Sequence, residues 1–174
     1  MSETKLKIRV WPDPILRKKC KPVETIDDDV RATLEEMRIL MHIYNGIGLA
    51  ANQAGLDRQM VVCETRGCLL KLINPRITRS EGEVVFGEGC LSFPGIELDV
   101  KRAKKIFLEA LDENGTAIKF WIDDVLAIIL QHEIDHINGI PFIYRVSPWQ
   151  RFKISAKLKS LKAKYGLPKQ AKKR

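Results

Sequence analysis

The sequence predicts a single α+β domain, on three observations: short apolar runs after Gln59, a segment DVLAIILQHEIDHIN at 124–138 whose upstream half is apolar on every face, and a closing amphipathic segment after Ser147-Pro148. A chain of 174 residues fits one compact domain. Such a chain buries about 70% of the surface its unfolded form exposes, so no metal is needed merely to fold, and a metal site here would serve chemistry.

Taken in order, Asp27 to Asp29 cap and charge a helix in which Val30, Leu34, Met37, Met41 and Tyr44 recur at helical spacing, ending near Asn45-Gly46. The runs MVV, LLKLI, EVV, KIFLEALD and AIKFWI then read as strands, the last two joined by a hairpin turn at Asn114-Gly115. Asp123 or Asp124 opens the apolar helix and Gly139 closes it in a left-handed conformation. Polar groups on a helix of that kind face the interior and must be satisfied there. The last helix carries Ile154, Leu158, Leu161 and Tyr165 on one stripe and lysines elsewhere, and residues 166–174 form a flexible basic tail. No internal repeat or linker divides residues 1–174.

Composition narrows the function. The longest apolar stretch, Val125 to Leu130, is far below the roughly 20 residues of a membrane span. The start MSETKLKIRV lacks the apolar core of a secretory signal, which points to the cytoplasm. Cys20, Cys63, Cys68 and Cys90 form no C-x-x-C pair, so a disulfide scaffold is not expected. The net charge of +8 is concentrated after Asp135, where no acidic residue follows and Arg145, Arg151, Lys153, Lys157, Lys159, Lys162, Lys164, Lys169, Lys172, Lys173 and Arg174 do. Such an end either meets an anionic surface or is a solvated helix face with a basic tail.

The chemistry concentrates in HEIDH, residues 132 to 136. The four-residue step places His132 and His136 on one helix face, where both imidazoles can reach one metal ion, and Glu133 can address a water there without being a ligand. Two bare histidines and a glutamate on the most apolar helix would be costly without a metal. A third ligand must lie upstream, because Phe142 occupies the place of a further downstream His and no His, Asp, Glu or Cys follows His136. The choices are His42, the four cysteines and the carboxylates. Cys90 stands out in GEGCLSFPG, where glycines at 87, 89 and 95 and Pro94 bend the backbone tightly. His42 at a helix end reads as exposed or capping, and Cys20, Cys63 and Cys68 read as packing or exposed thiols. A third segment, GIGLAANQ at 46–53, has glycines that permit close backbone approach, but lacks the third glycine of a dinucleotide loop and follows a helix rather than a strand.

GIGLAANQ at 46–53, EGCLS at 88–92 and QHEIDH at 131–136, in that order, resemble the three signature motifs of peptide deformylases. The likeness extends from WPDPILRK near the N-terminus through INP at 73–75 to the basic terminal helix. It implies antiparallel sheets packed around a central buried metal-binding helix, with a C-terminal helix. It also implies hydrolysis of the formyl group from N-formylmethionyl nascent peptides. On this resemblance Cys90, His132 and His136 hold Fe(II), replaceable by zinc, nickel or cobalt. Glu133 is the general acid/base, and Gln53 with the Leu91 N–H forms the oxyanion site. Ile47, Gly48, Phe86, Gly89, Val125, Ile128 and Ile129 are the substrate-pocket residues by motif position, and the basic terminal helix docks on the ribosome. The chain departs from the pattern at Phe93, where a smaller aliphatic is common, at Glu97, where some members carry Arg, and at Gly87, which leaves Glu88 as the local carboxylate and expected partner of Arg102. Asn52 fills a variable position of the first motif. The competing readings are a zinc peptidase, disfavoured by Phe142, and a non-enzymatic nucleic-acid or ribosome binder, disfavoured by a buried HEIDH.

Overall fold

A computed structural model of the chain describes residues 4–65 and 67–166. Helix α1 spans Asp28–Ile43 and starts as the sequence requires, with the Asp27 carboxylate accepting from the Val30 N–H at 2.9 Å. A short strand β1, Gly48–Ala50, follows, and a 3-10 turn, Ala51–Ala54, leads away from it. Both start in the GIGLAANQ segment, outside the apolar runs that read as strands. Strands β2 (Met60–Thr65), β3 (Cys68–Glu81), β4 (Val84–Gly89), β5 (Glu97–Arg102), β6 (Lys105–Leu111) and β7 (Ala117–Asp123) come next. All pairings are antiparallel, in a five-stranded sheet β1-β2-β3-β6-β7 and a separate two-stranded ribbon β4-β5. Strand β5 is absent from the apolar runs because ELDVKR buries only Leu98, Val100 and Arg102 and exposes the residues between. The β6–β7 turn is longer than a two-residue hairpin: Asp112 accepts from the backbone of Asn114 and Thr116, and Gly115 takes φ +82°.

Helix α2, Asp124–Ile137, lies buried against the large sheet. The continuous run MVVC in β2 is explained by burial on both faces. Met60 and Val62 pack with Leu34, Met37 and Met41 of α1, whereas Val61 and Cys63 pack with Ala127, Leu130 and Ile134 of α2. Each fully buried aliphatic side chain of this kind contributes about 1.5–3 kcal/mol. Asn138 ends α2, Gly139 turns left-handed at φ +73°, and the Gly139 and Ile140 N–H groups donate to the His136 and Asp135 carbonyls.

The closing helix differs from the expected single rod. It divides into α3, Pro148–Lys153, and α4, Ser155–Tyr165, at Ile154, which turns into a core shared with Phe93, Phe142 and Leu161. Tyr165 is exposed, so the buried stripe ends at Leu161. Of the expected basic tail, residues 167–174 lie outside the described residues.

Candidate metal and catalytic site

The ribbon and α2 converge to form the site. Strand β4 ends at Gly89 and delivers Cys90 into a turn closed by the Phe93 N–H donating to the Cys90 carbonyl. Helix α2 supplies His132 and His136 from one face, and the ligand atoms of Cys90, His132 and His136 all lie within 4.8 Å of one another. Cys90 Sγ is 3.2 Å from His136 Nε2. His132 turns its Nδ1 to Glu88 Oε2 at 2.8 Å, leaving Nε2 for the cluster. A half-buried thiol and two buried imidazoles that converge suit a divalent transition metal. His42, by contrast, pairs with Glu64 at 2.9 Å on the surface, Cys20 and Cys63 are buried elsewhere, and Cys68 is exposed. Burial pushes the Cys63 thiol up to about 12 and, with the charge of Asp57, the Cys20 thiol up to about 11.

Glu133 is buried, and its Oε2 has no hydrogen-bond partner among the described residues. Burial pushes its carboxyl up to about 7, with the charge of Glu88 adding to the rise and His132 and Arg102 opposing it. A carboxyl poised near neutrality can accept and return a proton at physiological pH. Gly48 shows why the first motif needs glycine: a Cβ there would lie 2.5 Å from Glu133 Oε1. Gln53, also buried, is oriented by its Oε1 accepting from the Ala50 N–H at 2.7 Å and points Nε2 at Cys90 Sγ, 3.4 Å away.

A cavity of about 400 Å³ opens over this cluster, lined in its depth by Gln53, Cys90, His132 and Glu133 and toward its mouth by Asn45, Gly95 and Glu97. Ile47, Gly48, Gly89 and Leu91 line it as well. Phe86, Val125, Ile128 and Ile129 are not among the residues that line this cavity. Phe86 sits half-exposed on β4, Val125 borders a second cavity beside Phe120 and Trp121, Ile129 packs into the core beneath the sheet, and Ile128 is buried one turn before His132. Motif position specifies distance along the chain but not the face that a side chain takes.

Behind the ligands lies a charge network of which the sequence suggested only the first pair. Arg102 grips Glu88 with Nε to Oε1 at 2.6 Å and Nη2 to Oε2 at 3.0 Å. Its Nη1 reaches Asp135, which also accepts from Arg145 Nε at 2.9 Å. Burial of Glu88 opposes ionisation, but the Arg102 guanidinium outweighs it and holds the carboxyl below its ordinary range. Asp135 and Arg145 carried no motif signal; the one available clue was an Asp on the otherwise apolar helix, which must be paired. Phe93 stacks on Trp11 with ring centroids 5.6 Å apart and meets Phe142 edge-on at 5.5 Å, tying the Cys90 turn to the N-terminal WPDP segment.

Residues 5–152 match the family Polypeptide deformylase. The chain is 40% identical to the peptide deformylase of Thermodesulfovibrio yellowstonii over 162 residues, which cover 90% of this chain and 98% of that one. It is 38% identical to the peptide deformylase of Aquifex aeolicus over 150 residues, 83% of this chain and 89% of that one. Among solved structures, a peptide deformylase from Legionella pneumophila superposes with a TM-score of 0.85 at 38% identity, covering 94% of this chain and 98% of that one. The peptide deformylase from Thermus thermophilus gives 0.86 at 36%, with 91% and 98% covered. With the motifs, the fold and these matches in agreement, the chain belongs to the polypeptide deformylase family.

Proposed function

We propose that Cys90, His132 and His136 hold Fe(II), for which zinc, nickel or cobalt can substitute, and that Glu133 and Gln53 work beside it. The reaction is that of a peptide deformylase, a metallohydrolase that removes the formyl group from the N-terminal methionine of nascent peptides. The carrying observation is the convergence of one thiol and two imidazoles next to a buried carboxyl poised near 7.

When bound, the cation supplies Lewis-acid activation of water and of the formyl oxygen. Glu133 removes the proton from the attacking water and delivers it to the departing amine nitrogen, giving formate and a free N-terminus. The Gln53 amide, with the Leu91 N–H, donates to the oxyanion; such a donor is typically worth about 3–4 kcal/mol. Ile47, Gly48 and Gly89 border the bound formylmethionyl end, on the strength of their place in the cavity. The deep, buried position of Glu133 keeps bulk water from competing for that proton.

The exposed Lys159, Lys162 and Lys164 on α4, in a stretch without any acidic residue, support docking on the ribosome, and with it a cytoplasmic site of action. No helix among the described residues is long and apolar enough to cross a membrane. The deciding experiment is formate release from a formyl-Met peptide with and without a chelator. Chelator-sensitive release is the expected result; cleavage of internal peptide bonds without formate would mark a peptidase instead.

A further inference from the structure

One buried polar residue beside the site has no part in the reading above. Asn52 is fully buried on the 3-10 turn Ala51–Ala54, next to Gln53. Its Nδ2 donates to the backbone carbonyl of His136 on α2, a carbonyl that also accepts from the Gly139 N–H. Its Oδ1 has no partner among the described residues. For a side chain buried at the expense of one unsatisfied acceptor, the bond made by its other end is what offsets that cost. That end is a single donated bond joining the turn that carries Gln53 to the residue that carries the metal-facing Nε2 of His136.

We infer that Asn52 is a positioning residue, which fixes the Gln53 amide relative to the metal ligands by clamping its turn to His136. This rests on the catalytic reading of Gln53 given above. Among the described residues the backbone bond that ties this turn to a distant segment is the Arg9 N–H donating to the Gln53 carbonyl at 2.7 Å, and it leads away to the N-terminal segment rather than to α2. Gln53 Nε2 lies 3.4 Å from Cys90 Sγ, so a small swing of the turn moves the amide off the thiolate and away from the place where the oxyanion forms. Catalytic donors tolerate little displacement, because a shift of about 1 Å costs on the order of a hundredfold in rate.

The test is a double-mutant cycle of Asn52→Ala, Gln53→Ala and the pair, with kcat and KM for a formyl-Met peptide measured on zinc-loaded and cobalt-loaded full-length protein. Asn52→Ala is expected to lower kcat at least tenfold with KM within about twofold. In the Gln53→Ala background the same change should have almost no further effect, since a residue acting through another has nothing left to position. Asn52→Asp, isosteric but presenting an acceptor to the His136 carbonyl, should lose more than Asn52→Ala. A readout independent of turnover is the thiolate-to-cobalt charge-transfer band. Asn52→Ala should shift it in the direction that Gln53→Ala does, because both remove the amide from Cys90 Sγ. Additive losses in the cycle, an unmoved band, or a lowered melting temperature with unchanged kcat would each overturn the proposal. A wild-type chain that releases no formate overturns the catalytic reading instead, and the cobalt band still reports on Asn52.

Discussion

Glu88 Oε2 lies 2.8 Å from His132 Nδ1 while Arg102 holds the same carboxylate from the other side, so the orientation of an imidazole in the proposed metal site is set by an ion pair buried beneath it. Removing the outer partner of a metal-ligating histidine typically costs 10–100-fold in metal affinity. Glu88→Gln should therefore bind zinc about 10–100-fold more weakly in a chelator competition, with His132 and His136 intact.

Arg102 is the more dangerous residue to change. Its loss leaves Glu88 and Asp135 buried without their shared cation, and breaking a buried pair from one side costs about 3–5 kcal/mol. Arg102→Ala should show that loss in denaturant unfolding. The acid side of stability follows from the same pair. Because the Glu88 carboxyl is held below its ordinary range, its contribution is complete above the unfolded-state carboxylate value and is lost as pH falls through the lower folded value. Wild-type protein should lose stability on acidification through that window, and Glu88→Gln should flatten the dependence.

Glu133→Ala should reduce turnover by orders of magnitude while metal content, measured by atomic absorption, stays near one ion per chain, because Glu133 stands beside the ligand set rather than in it. Near-normal turnover in that variant would remove Glu133 from the mechanism.

Gly48→Ala tests the tight approach of β1 to α2. The added methyl meets Glu133 Oε1 at 2.5 Å and must displace that carboxylate. Activity should fall at least tenfold, with far-ultraviolet circular dichroism unchanged.

The cysteines separate cleanly. Cys90→Ser should weaken or alter metal binding, whereas Cys63→Ser should leave it unchanged. Cys63, buried and with its thiol pushed up to about 12, should resist alkylation in the folded protein and react only on unfolding. Equal metal loss in both variants would exclude Cys90 as the third ligand.

Ribosome co-sedimentation should fall steeply between about 50 and 200 mM salt if the lysines of α4 contact phosphate. Reversing Lys159 and Lys164 to Glu should weaken it while deformylation of free peptide is unchanged. Lys157 is unsuitable for that test, since its Nζ donates to the Gly95 carbonyl at the cavity mouth.

How far the sequence discloses the site depends on how local each relationship is. His132, Glu133 and His136 are legible because helical periodicity alone places them together, and Cys90 stands out because no ligand lies downstream and, among the upstream candidates, it sits in a glycine-rich turn. The Glu88–Arg102 pair could be guessed from one unexplained carboxylate. Asp135, Arg145 and Asn52 could not be assigned roles, since their partners depend on how the ribbon β4-β5, the 3-10 turn and α2 meet in space. Phe86, Val125 and Ile129, assigned to the pocket by motif position, are apolar residues whose spacing fits a pocket and a core equally well. Strand β1 escaped notice because it is only three residues long and opens on Gly48, a glycine required by the carboxylate of Glu133 behind it.

The end of α2 governs when this molecule can become itself. The Cys20 N–H donates to the Ile137 carbonyl, and Gly139 packs so closely on the backbone of Arg17 that a methyl there would lie 2.7 Å from its carbonyl oxygen. The stretch Arg17 to Cys20 therefore completes its contacts only when residues 137–139 are in place. Contacts so distant in sequence slow folding through the entropy of closing the loop between them. The stretch around Cys20 and the helix that carries His132 and His136 thus lock one another, and neither end of this long loop is finished until the other has arrived.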